Sequence, residues 1–104
     1  MKIDIAIPFL PEWGPAMIEG RKTCTTRTRK YGEPGDHFSA FGCLFQLTQV
    51  ERMWLDNVLR LWRQEGVASP EDFVKIWKRL HPRRGFDENW KVWVHHFEKI
   101  NDEA

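Results

Sequence analysis

The sequence predicts an α+β domain built on a mostly non-parallel sheet that closes or half-closes into a barrel, with about three short helices near its ends. Three observations predict it. Alternating or β-branched runs recur along the 104-residue chain, apolar residues between them return at helical spacing, and the βαβ alternation of a doubly wound fold is missing. Rolling the sheet up is the natural way to hide its edges, and about five or six strands are expected.

Taken in order, Lys2 to Phe9 is rich in Ile and bounded by Pro8 and Pro11, which suits a first strand. Glu12 to Glu19 carries Trp13, Met17 and Ile18 on one face of a short helix, with Gly20 as its stop. The threonine-rich run Gly20 to Thr28 favours an extended strand. Tyr31 to Asp36 places two glycines around a proline, a tight turn between strands, in which Gly35 can take positive φ. His37 to Phe41 and Cys43 to Arg52 are the next strands. Leu55 to Gln64 repeats apolar residues at helical spacing and Gly66 can close it, while Ser69-Pro70-Glu71-Asp72 is a cap, a first-turn proline and two acids opening a helix to Leu80. Trp90 to Ile100 reads as a long last strand, and Asn101 to Ala104 is expected to fray.

The length fits one domain, residues 1–104, able to bury a core without metals or cross-links. Sixteen Lys and Arg against fifteen Asp and Glu leave almost no net charge, so bulk charge does not announce a duplex-binding protein and no DNA duplex is expected. The cations cluster at Arg21, Lys22, Arg27, Arg29 and Lys30, and again at Lys75, Lys78, Arg79, Arg83 and Arg84, the second group reading as a solvated helix face. Two cysteines, no charged-then-apolar leader and no apolar run of about 18 residues are expected of a reduced, cytoplasmic protein without a membrane span. A monomer or weak dimer is expected.

The sequence lacks a phosphate-binding glycine loop, a Gly-x-Ser-x-Gly and a Cys-x-x-Cys. His37, His81, His95 and His96 show no metal spacing, and neighbours His95 and His96 on a strand point to opposite faces; they read as surface or rim residues. No metal or cofactor is expected. Six tryptophans are many for this length. Trp62 and Trp77 fall on core stripes and Trp13, Trp90 and Trp93 fit packing, so about one is left to serve as a base-stacking platform; Trp54 is the hardest to assign. The densest polar segment is Gly20 to Arg27, with a lysine, hydroxyls, a thiol and an arginine. It suits a functional strand or simply a charged edge strand that discourages aggregation.

Gly-x-Lys-Thr-x-Thr-x-Arg from Gly20 to Arg27, followed by Pro34-Gly35-Asp36, resembles the signature of ASCH domains, small barrels of the PUA-like superfamily (pseudouridine synthase and archaeosine transglycosylase). The motif is closest to that of the bacterial N4-acetylcytidine amidohydrolases. The resemblance implies a PUA-like β-barrel, a modified nucleoside or RNA as partner, and a catalytic set of Lys22, Thr25 and Glu65, with Arg21, Thr23, Arg27 and Tyr31 binding substrate. In those roles Lys22 takes the Thr25 proton, Thr25 attacks the acetyl carbonyl and Glu65 protonates the departing amine. A lysine serves as such a base where burial favours its neutral form. Lys22 must precede the strand proper, because residues three apart on a strand face opposite sides. Cys24 is the other conceivable nucleophile, with no histidine beside it in sequence. A concave pocket is expected beside Lys22 to Arg27, near Tyr31 and Glu65. The competing reading is an RNA-binding module or a ribonuclease of the ASCH type, in which the first cation cluster neutralises phosphates.

Overall fold

A computed structural model describes residues 4–102. Its sheet has four antiparallel strands in the order β1 (Cys24–Arg27), β4 (Lys91–Asp102), β3 (Cys43–Trp54) and β2 (His37–Ala40), curled into a half-barrel. The helices are α1 (Gly14–Ile18), α2 (Leu55–Val58), α3 (Trp62–Glu65) and α4 (Pro70–Leu80). Short 3₁₀ turns at Pro11–Trp13 and Leu59–Leu61 lead into α1 and join α2 to α3.

The strand count is lower than five or six because the amino-terminal segment does not pair along its length. Lys2 and Ile3 lie outside the described residues. Asp4 makes one parallel bridge to His37, Ile5 N–H donates to the His37 carbonyl at 2.7 Å, and the chain then runs on as irregular backbone past Pro8. The expected helix over Leu55 to Gln64 is broken into α2, a 3₁₀ turn and α3, which ends at Gly66 in the left-handed conformation, φ 84°. Helix α4 matches its expected span, and the Ser69 hydroxyl accepts from Asp72 N–H at 3.1 Å as its cap. Strand β4 continues through Asn101 and Asp102, where fraying was expected, because both pair with the start of β3; Glu103 and Ala104 lie outside the described residues.

Each face of the sheet carries its own core, as a period of two requires. Val92 and Val94 of β4 pack with Cys24, Leu55, Val58, Phe73 and Trp77 on the face covered by α2 and α4. Phe97 packs on the other face with Phe38, Phe45, Leu47, Met17 and Ile7. In the second core Phe38 stacks on Phe45 at 5.2 Å while Phe97 meets both rings edge-on at 5.4 Å, and each such ring buried contributes about 1.5–3 kcal/mol. Between Leu47 and Gln49 the register of β3 against β4 slips by one residue. The bulge changes the phase of β3, so Phe45 and Leu47 before it share a face with Val50, Arg52 and Trp54 after it. No helix among the described residues is long and apolar enough to cross a membrane.

Candidate functional site

Among the described residues, strand β1 lies at an edge of the sheet and pairs only with β4. Alternation sends Cys24 and Thr26 to the Val94 face and Thr25 and Arg27 to the face of His95 and Trp93. Lys22 stands before the strand, as its separation from Thr25 required, and two elements fix its backbone. The Arg21 and Lys22 N–H groups both donate to the Ala16 carbonyl of α1 at 2.8 and 3.0 Å, and Thr23 N–H donates to the Gln64 carbonyl of α3 at 2.7 Å. The left-handed turn at Gly66 lies against this segment: a β-carbon there would stand 2.8 Å from Lys22 Cβ. Glycine is therefore required by conformation and by space.

The turn brings Glu65 under β1. Glu65 is 4% exposed and Lys22 3% exposed. Lys22 Nζ donates to the Glu65 carbonyl at 2.9 Å and to Glu65 Oε1 at 3.3 Å. Glu65 Oε2 accepts from the Thr26 hydroxyl at 2.6 Å and from Cys24 Sγ at 3.3 Å. The carboxylate is thus held by three side chains from one segment 39 to 43 residues away, the satisfaction a buried charge needs. The Trp13 ring lies 4.5 Å from Lys22 Nζ.

On the other face, Arg27 Nε donates to Thr25 Oγ1 at 3.0 Å and Arg27 Nη2 to the Pro8 carbonyl at 2.6 Å. The Thr25 oxygen accepts this bond, and among the described residues no acceptor takes its proton. Burial lowers the Arg27 pKa from its ordinary value. Its guanidinium lies 4.8 Å from the Phe9 ring and 5.6 Å from Tyr31. Behind Thr25, His95 is fully buried, which corrects the expectation of a rim histidine: β4 is an inner strand between β1 and β3, and the Tyr31 ring packs edge-on against the imidazole at 5.9 Å. Its Nε2 accepts from Tyr31 N–H at 3.0 Å, which leaves Nδ1 to carry the proton toward the Thr25 carbonyl at 3.4 Å. Burial depresses its pKa, in keeping with that neutral tautomer. His96 turns to the opposite face and meets Glu51 at 2.6 Å.

A cavity of about 400 Å³ straddles the edge of β1. Lys22, Thr25, Thr26, Arg27, Tyr31 and Glu65 line it together with Phe9 and Trp13 on one side and Phe73, Trp77 and His81 on the other. Arg21 and Thr23 do not line it. Arg21 is exposed and pairs with Glu19 at 2.8 Å, and the Thr23 backbone is spent on Gln64 and Phe97. Sequence reasoning missed Thr26, whose hydroxyl makes the shortest contact to Glu65, and the aromatic walls Phe9 and Trp13. The Thr25-Thr26 pair itself was the available signal, since adjacent strand residues reach opposite faces. Cys24 is fully buried, and burial together with Glu65 raises its pKa far above the ordinary thiol value, which disfavours the thiolate a cysteine nucleophile needs. The five cations of the second cluster are exposed, Arg79 meeting Glu12 and Arg84 meeting Asp87.

No family model and no curated protein matches the sequence. Solved structures do match. The chain superposes on the hypothetical protein PH0355 with a TM-score of 0.69 at 18% identity, over 96% of this chain and 100% of that one. It superposes on the ASCH domain from Lactobacillus crispatus with a TM-score of 0.63 at 12% identity, over 96% and 79%. On ASCH from Zymomonas mobilis the values are 0.57, 14%, 99% and 72%. The chain has the ASCH-domain, PUA-like fold.

Proposed function

We propose that this ASCH-fold protein is an amidohydrolase that removes the acetyl group from N4-acetylcytidine or a similar acylated nucleoside. The observation that carries the reading is the convergence of Lys22, Thr25 and Glu65, from two distant segments, on one partly apolar cavity. The cavity volume is within the range of small-ligand sites, and its aromatic walls suit a flat base.

The chemistry follows from the hydrogen bonds. Thr25 accepts from Arg27 and keeps its own proton free for a base, whereas the Thr26 proton is committed to Glu65. Thr25 is therefore the nucleophile of the two. Lys22 and Glu65 share a hydrogen bond; moving its proton onto the carboxylate creates an amine and a carboxylic acid, the base and acid that the reaction needs. Substrate filling the cavity displaces water, which favours the uncharged pair over the ionic one. The Lys22 amine then takes the Thr25 proton as the hydroxyl oxygen bonds to the acetyl carbon, with Arg27 beside the developing charge. Glu65 gives its proton to the cytosine nitrogen as the C–N bond breaks. The Lys22 proton passes back to Glu65 along their hydrogen bond; water then loses a proton to the Lys22 amine as it attacks the acetyl-threonine ester, and the Thr25 oxygen takes the Glu65 proton as acetate is released.

One observation favours a binding-only reading: no hydrogen bond links Lys22 to Thr25 among the described residues, so the base must close on the nucleophile when substrate enters. The test is to incubate the protein with N4-acetylcytidine and measure cytidine and acetate. Equimolar release supports hydrolysis, and unchanged nucleoside contradicts it.

A further inference from the structure

The β3 bulge places a second row of residues on the Thr25 face of the sheet. Beyond Thr25 and His95, the register sets Arg27 opposite Trp93, Trp93 opposite Arg52, and Lys91 opposite Trp54. Directly paired residues of antiparallel strands share a face, so Arg27, Trp93, Arg52, Trp54 and Lys91 form one strip leading away from the cavity. Lys91 and Trp54 stand about 13 Å along β4 from the row of Thr25, four residues at the strand rise.

The strip alternates cations with rings. Arg52 lies 5.5 Å and Lys30 5.2 Å from the Trp93 ring, and Lys91 lies 4.8 Å from Trp54. Arg52 and Lys91 are exposed and in no ion pair among the described residues. Trp54 is 45% exposed, a large ring that neither core uses. Glu51, the neighbour of Arg52, faces away and meets His96, while Glu33 pairs with Lys30 at the margin. Trp93, half-buried, supports the cations, and Trp54 is exposed with Lys91 over its ring.

We infer that this strip is a docking surface for single-stranded RNA, on which Trp54 stacks a base while Arg52 and Lys91 meet phosphates next to the nucleotide held in the cavity. An exposed ring between unpaired cations at strand spacing matches a polyanion with free base faces, and a duplex would offer no base to Trp54. The inference rests on the reading of the cavity as a nucleoside site, and it makes the preferred substrate an acetylated cytidine within an RNA strand.

The test uses an end-labelled single-stranded RNA with one N4-acetylcytidine in mid-strand, alongside free N4-acetylcytidine. Trp54→Ala is expected to weaken RNA binding roughly ten-fold, the loss of one base stack. Arg52→Ala and Lys91→Ala should each weaken it and lower the salt dependence by about one phosphate contact. All three should hydrolyse the free nucleoside at the wild-type rate. If they do so and still bind RNA like wild type, the strip is overturned and the cavity reading stands. If wild type hydrolyses neither substrate while the variants lose RNA binding, the strip stands and the reaction is overturned. Equal affinity for a duplex of the same sequence would overturn the stacking role of Trp54.

Discussion

Lys22 and Glu65, 43 residues apart, are joined twice, through the glutamate's backbone carbonyl at 2.9 Å and its carboxylate at 3.3 Å, with both residues almost completely buried. The contact ties the turn before β1 to the end of α3, so the candidate catalytic pair is also a structural clamp.

Breaking that pair is expected to be expensive. Glu65→Ala leaves the Lys22 ammonium buried without its carboxylate, a loss of about 3–5 kcal/mol, read from urea unfolding midpoints. The double change Lys22→Met with Glu65→Ala should recover part of the loss, since no charge is then stranded. A loss below about 1 kcal/mol, the range of exposed pairs, would mean that the two residues are not buried together.

Gly66→Ala tests the support of the pair. Its positive φ and its approach to Lys22 Cβ predict a stability loss of at least about 1–2 kcal/mol, with hydrolysis falling alongside because the Lys22 backbone is displaced. An alanine variant with wild-type stability and turnover would contradict the close packing.

The pH dependence of stability has a sign set by His95. Its folded pKa is below the ordinary 6.5 because burial disfavours the imidazolium. The unfolded chain therefore binds more protons as pH falls. The contribution is complete above about 6.5 and is lost as pH drops from there toward the folded value. Unfolding free energies measured across that window should decline in wild type, and His95→Gln should lack this component. Parallel curves would contradict a neutral buried His95.

Cys24 is expected to be a spectator. Its thiol is buried and held far above its ordinary pKa, so a thiol-alkylating reagent should modify it only under denaturing conditions. Cys24→Ala should keep nucleoside hydrolysis while losing some stability to the vacated space. Loss of turnover in a variant that still folds would move the nucleophile from Thr25 to Cys24.

Much of this architecture is legible in the sequence because local rules decide it. Ser69 and Pro70 start α4, Gly66 ends α3, and the paired threonines make a strand. The Lys22 position before β1 follows from strand geometry once the resemblance puts Lys22 and Thr25 in one site. Other features depend on distant partners. His95 looks like a polar surface residue until β1 and β3 flank it. The bulge after Leu47 has no glycine to announce it, and it decides whether Arg52 and Trp54 or Glu51 and Met53 share a face with Thr25. The service of Thr26 and Cys24 to Glu65 depends on a packing of α3 against β1 that no spacing encodes.

The central claim is that Thr25 is a nucleophile and not merely a wall of a binding cavity. Its most direct test is the rate of acetate release from N4-acetylcytidine by wild type and Thr25→Ala, with nucleoside affinity measured on the same samples. The Thr25 oxygen forms its new bond only during reaction, so the account predicts turnover in wild type, none detectable in Thr25→Ala, and affinities within about two-fold of each other. Turnover by Thr25→Ala at the wild-type rate, or binding without turnover by wild type, would contradict it.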